Sequence, residues 1–167
     1  MKWESVQKLL SSSSVDLASA AEQVPGEKWL APRAVGKWSP AEVVEHLNLA
    51  FDVLLRELAG GAGMKVRTKL WQRVLLRFTT VPRILRGRGF PKGARAPKEM
   101  RPALTSVDQG AAIAGFRDRA ARFEAEATAA HQSGRVRLTH AYFGKSSIKN
   151  SVLLVARHIQ HHRQQLG

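Results

Sequence analysis

The 167-residue chain contains no cysteine. That excludes a disulfide framework, a thiolate metal site and a cysteine nucleophile. Long apolar runs are missing too: no stretch approaches the roughly 20 residues a membrane-spanning helix needs. The opening MKWESVQKLLSSSS carries an early glutamate and no apolar h-region. A secretory signal is therefore not expected, and a cytosolic (cytoplasmic) location is the default expectation. No internal repeat is visible, and the serine run is too short to be a linker. The hydrophobic share of 44% is too high for a disordered chain. The length suits a single domain over residues 1–167, large enough to bury a real core.

Acidic residues are scarce, 13 against 27 lysines and arginines, giving a formal net charge of +14. The excess is local. Residues 65–101 hold twelve basic residues and one acidic residue, Glu99. A patch of this kind attracts nucleic acid or anionic membrane, or is simply a solvated helix face continued by a basic loop.

Helical periodicity dominates what is present, and no strand is convincing. Residues 3–24 place Val6, Leu9, Leu10, Leu17 and Ala21 on a helical rhythm, weakened in the middle by the serines at 11–14. Pro25, Gly26, Pro32 and Gly36 then mark a loop. The next helix has the clearest start: Ser39 as N-cap, Pro40 at the first helical position and Glu42 three residues after the cap. That is a capping box with an N1 proline, and GGAG at 60–63 ends the helix. A third helical stretch covers 65–86, with Val66, Leu70, Val74, Phe78, Val81 and Leu85 on one side and a break or kink expected at Pro82. GRGFPKGARAPKEMRP is too rich in glycine and proline for regular structure. A helix beginning at Ser106 stops near Gly134, RVRLTHAYFGKSS reads as a loop, and a last helix spans 148–166. Long helices joined by loops imply an all-α fold, a helix bundle in which the basic segment of about 64–104 is an insertion or part of a crossover.

The last helix carries the most informative residues. At about 100° per residue, His158 and His162 fall in the apolar sector with Val152, Val155 and Ile159. They lie one turn apart on one face, the spacing by which a helix offers two nitrogens to one metal ion. His161 points to the flank. His46, on the flank of the capped helix near Val43 and Ala50, is a third ligand if the two helices are neighbours; otherwise it is a half-exposed edge histidine. Three neutral imidazoles suit Zn, Ni or a similar divalent ion with a position left open for water. His140 either lines the mouth of such a site or packs structurally. His131 sits beside a helix end, where its charge would favour the dipole. Arg163 is a candidate for orienting the site or binding an anion. No Ser/His/Asp order and no carboxylate pair offers a competing catalytic scheme.

A tryptophan followed by WSPAEVVEHL, then APKEMRP, HAYFGKSS and HIQHHRQQL, resembles the DinB-like superfamily over nearly the whole chain. The resemblance implies a four-helix bundle with one long crossover, often dimeric, and a three-histidine site for a divalent metal. By position the implied ligands are His46, His158 and His162. The usual His-Arg-Gly-Gln ending reads His162, Arg163, Gln164, Gln165 here, with glutamine for glycine. Members include thiol-dependent transferases and isomerases, whose metal activates a low-molecular-weight thiol such as bacillithiol or mycothiol, and proteins described as metal-dependent hydrolases. Two readings follow. In one, a metal lowers the pKa of a water or thiol that attacks a small substrate, and a cationic rim favours an anionic one. In the other, residues 65–101 bind nucleic acid or anionic membrane, with Trp71, Phe78 and Phe90 as apolar or stacking contacts.

Overall fold

The computed structural model describes residues 1–91, 96–103, 108–134 and 136–166. Four long helices form the body: α1 (Trp3–Glu22), α3 (Pro40–Leu58), α5 (Gln109–Ser133) and α6 (Ile148–Arg163). A short α2 (Gly26–Trp29) precedes α3, and α4 (Leu70–Leu85) lies in the crossover between α3 and α5 together with a 3-10 turn at Lys98–Met100. The fold is the all-α bundle that the sequence implies, with α1 packed on α6 and α5, and α3 packed on α5.

Local chemistry explains where the helices begin and end. Ser39 Oγ accepts the Glu42 N–H at 3.2 Å while the Ser39 N–H donates to Glu42 Oε2 at 2.7 Å. This fixes where α3 begins. Asp108 Oδ1 caps α5 by accepting the Ala111 N–H at 2.8 Å. The expected start at Ser106 lies outside the described residues. Gly134 closes α5 at φ 66°, a left-handed conformation that glycine adopts without steric cost. The serine run does not interrupt α1. Ser12 and Ser14 satisfy their hydroxyls on the carbonyls of Leu9 and Leu10, within the helix itself.

The main core is a large contiguous apolar cluster, with a smaller one of Ala50, Val53 and Met100 beside it. Phe51 packs between Phe116 and Phe123, with ring centroids 5.7 and 5.5 Å apart. Val6, Leu10 and Leu17 meet it from α1, and Val152 and Ile159 from α6. Buried alanines at 112, 120, 127 and 130 keep α5 slim on its inner side.

Two expectations need correction. RVRLTHAYFGKSS is not a loop: Arg137–His140 (β1) and Gly144–Ser147 (β2) pair antiparallel, with Leu138 opposite Ser146. Four-residue strands are too short to show periodicity; cross-strand bonds and a tie to α3 create them. Glu57 supplies that tie, accepting the Thr139 N–H at 2.9 Å and its hydroxyl at 2.6 Å. Second, α4 begins at Leu70 and runs through Pro82, ending three residues later. The proline costs one bond, to the Phe78 carbonyl, on a solvent-facing turn where water can replace it. The apolar stripe of α4 faces solvent: Leu70, Val74 and Phe78 are exposed, and the helix docks through buried Ile84 and half-buried Leu85.

Candidate metal centre

The capping box sets His46 two turns into α3, 2% exposed. The i, i+4 pair on α6 presents His158 and His162 to it. The backbones of α3 and α6 stay apart, and the imidazoles fill the space between them. His46 Nε2 is 3.2 Å from His158 Nε2, and His158 Nε2 is 2.9 Å from His162 Nε2. All three ligand nitrogens lie within 4.8 Å of one another.

The protons can be assigned from the partners. His46 Nδ1 is 2.6 Å from the Met100 carbonyl oxygen, which only accepts, so Nδ1 carries the proton and Nε2 is a bare lone pair. His162 Nδ1 is 2.8 Å from Gln165 Oε1. The Gln165 amide faces this way because its NH2 group is 3.3 Å from His161 Nε2. His162 Nε2 is therefore a second lone pair. Both are aimed at His158 Nε2, whose single proton can serve only one of them. A divalent cation among the three satisfies all of them, so the residues present fit the metal that the family implies.

Burial keeps the cluster unprotonated. It lowers His46, an effect opposed by the Met100 carbonyl and reinforced by His161. It pushes His162 down to about 3, with His46 adding to the shift and Gln165 opposing it. His158 falls well below the ordinary imidazole range through burial first, then the neighbouring His162, His46 and His140. Of the three rings, His158 keeps the most accessible surface. At neutral pH all three rings are neutral donors, the form a metal requires.

Aromatic rings wall the cluster. Trp38, just before the N-cap, lies 4.8 Å from the His46 ring and 6.0 Å from the His162 ring. Phe90, from the glycine-rich crossover, covers His158 at 5.5 Å and His161 at 5.3 Å. As a nucleic-acid stacking contact Phe90 is misplaced, because it is turned onto the histidines.

The remaining candidates separate. His140 stacks on Phe143 with centroids 4.2 Å apart, and its Nδ1 accepts the Tyr142 N–H at 3.2 Å. Its proton is therefore on Nε2, which makes it a donor and not a ligand. Burial lowers it to about 4, and it is near enough to depress His158. Arg163 is exposed beside a groove lined by Ser13, Asp16, Gln160 and Gln164, on the side of α6 turned to α1. His131 stacks on Trp3 at 4.0 Å instead of serving only the end of α5. Sequence reasoning missed Gln165 and the Met100 carbonyl. Gln165 lay in plain view in the closing motif; a backbone carbonyl leaves no trace in residue type.

No curated protein and no solved structure matches the chain. A family model described as the DinB superfamily matches residues 10–166, a span that includes all three clustered histidines. Match, bundle and histidine cluster agree: the chain belongs to the DinB superfamily.

Proposed function

We propose that the protein is a divalent-metal-dependent enzyme acting on a small molecule, with His46, His158 and His162 holding Zn or Ni through Nε2. The observation that carries this reading is the convergence of lone pairs: two rings have their Nδ1 protons committed elsewhere, and the Nε2 atoms of both lie within 3.2 Å of His158 Nε2. A metal so held supplies Lewis acidity that brings a bound water or low-molecular-weight thiol toward its anionic form at neutral pH.

The chain's own groups do the rest. Met100 and Gln165 fix the two tautomers, and with them the direction of each ligand. Trp38 and Phe90 exclude bulk water and offer apolar walls to a small substrate. His140, with its proton on Nε2, donates a hydrogen bond to an anionic group arriving on the His158 side. The nucleophile comes from solution: a chain without cysteine has no thiol of its own. The cationic crossover favours an anionic substrate.

Metal analysis of protein purified without a histidine tag tests the first step. About one divalent ion per chain is expected, and His158→Ala should lose it; metal-free wild-type protein, or a variant that retains full metal, overturns the reading. Cobalt substitution then separates thiol from water. Adding a low-molecular-weight thiol to the cobalt form produces near-ultraviolet sulfur-to-metal charge transfer if the thiol binds, and no new band if water is the nucleophile.

A further inference from the structure

Helix α4 is inverted. On a helical wheel of about 100° per residue, Leu70, Trp71, Val74, Leu75 and Phe78 form one stripe of roughly a third of the circumference. That stripe faces solvent: Leu70 is 70% exposed, Trp71 64%, Leu75 55% and Phe78 78%. The opposite side, with Arg73, Thr80 and Ile84, is turned to the protein. Arg73 Nε is buried without a hydrogen-bond partner, and the Arg73 side chain lies against Gly144 in the hairpin. The helix thus buries an arginine stem and presents tryptophan, leucine and phenylalanine outward.

Cations border the stripe. Arg77 lies along one edge and Arg86 along the other, both exposed and, among the described residues, without a carboxylate partner. Three occupants can be compared. A second copy docked face to face would bring together two segments with twelve basic residues and one acidic residue each, within a Debye length of about 10 Å. A nucleic acid would set its phosphates against five large apolar side chains with no cation inside the stripe. An anionic bilayer accepts both parts: the rings enter the headgroup boundary while the arginines reach sideways to the lipid phosphates.

We propose that α4 is a peripheral membrane anchor, lying in the surface of an anionic bilayer through Trp71, Leu75 and Phe78 with Arg77 and Arg86 at its edges. The body of the bundle is held at the surface, and the protein reaches substrates delivered there. This is independent of the metal-site reading, because none of these residues touches the histidines.

Co-sedimentation of the full chain with phosphatidylcholine vesicles, with and without phosphatidylglycerol, tests it. Binding should require the anionic lipid, weaken as salt is raised, and fall about tenfold or more in Trp71→Ser/Phe78→Ser. Arg77→Gln/Arg86→Gln should weaken it by a similar factor. All four side chains are exposed, so circular dichroism and metal content should stay as in the wild type. Equal binding to both vesicle types, no binding, or binding indifferent to the aromatic pair overturns the proposal. So does a stable dimer in sedimentation equilibrium that the aromatic variant dissociates, which would give the face to a second copy. Salt-sensitive binding to duplex DNA in place of vesicles would overturn it in favour of a polynucleotide.

Discussion

His46 Nδ1 and the carbonyl oxygen of Met100 are 2.6 Å apart, across 54 residues of chain. The contact joins the second turn of α3 to the crossover and decides which nitrogen of His46 faces the other histidines. Met100 is itself anchored by packing against Ala50 and Val53, one and two turns beyond His46 on the same helix. The crossover thus does more than connect α3 to α5; it orients a ligand.

Gln165 plays the matching part for His162, and its effect is separable from folding. Gln165→Leu removes the acceptor from His162 Nδ1 and frees the ring to rotate or change tautomer. Metal affinity, measured by competition with a chromophoric chelator, should drop about tenfold to a hundredfold. Gln165→Glu restores an acceptor and should recover most of the loss. Equal losses in both variants would mean that Gln165 matters for packing and not for orientation.

Metal should stabilise the native state, because the converging lone pairs exist only in the folded chain. At a free ion concentration of about 100 Kd the gain is about 2.7 kcal/mol, equivalent to about 5–10 °C in Tm for a domain of this size. Differential scanning fluorimetry with zinc and then chelator should show the rise and its reversal. His162→Ala should show neither.

Acid should destabilise the metal-free protein in a defined window. His140 falls from 6.5 to about 4 and His162 to about 3 because burial penalises the imidazolium. The folded-state values are depressed, so the unfolded chain takes up protons first. Stability is complete above about pH 6.5 and declines as pH falls toward the folded values, by about 1.4 kcal/mol per pH unit for each such group. Urea titrations of His140→Gln between pH 6.5 and 4 should show a slope shallower by about that amount. An unchanged slope would mean that His140 is protonated in the native state.

The cap that starts α3 is worth testing alone. Ser39 is buried, and its hydroxyl serves the Glu42 N–H. Ser39→Ala should cost about 1 kcal/mol in chemical denaturation, and Asp or Thr at the same position should recover much of it. Metal affinity should change little, because the seven residues from cap to His46 are held by the rest of α3.

Much of the site was legible in the sequence because its determinants are local. The capping box fixes where α3 begins within three residues, and helical geometry separates His158 and His162 from His161 without reference to anything distant. The density of positive charge in residues 65–101 needs only counting. Tertiary structure decided everything that depends on a backbone carbonyl or on which side of a helix meets the protein. The Met100 oxygen belongs to no residue type in particular. The hairpin at 137–147 exists through cross-strand bonds and Glu57, not through a pattern four residues long. The periodicity of α4 announces an amphipathic helix, yet periodicity gives only the angle between faces and not which face is buried. Docking through Ile84 turned the apolar stripe of α4 outward, because a helix anchored at one end takes its rotation from that anchor.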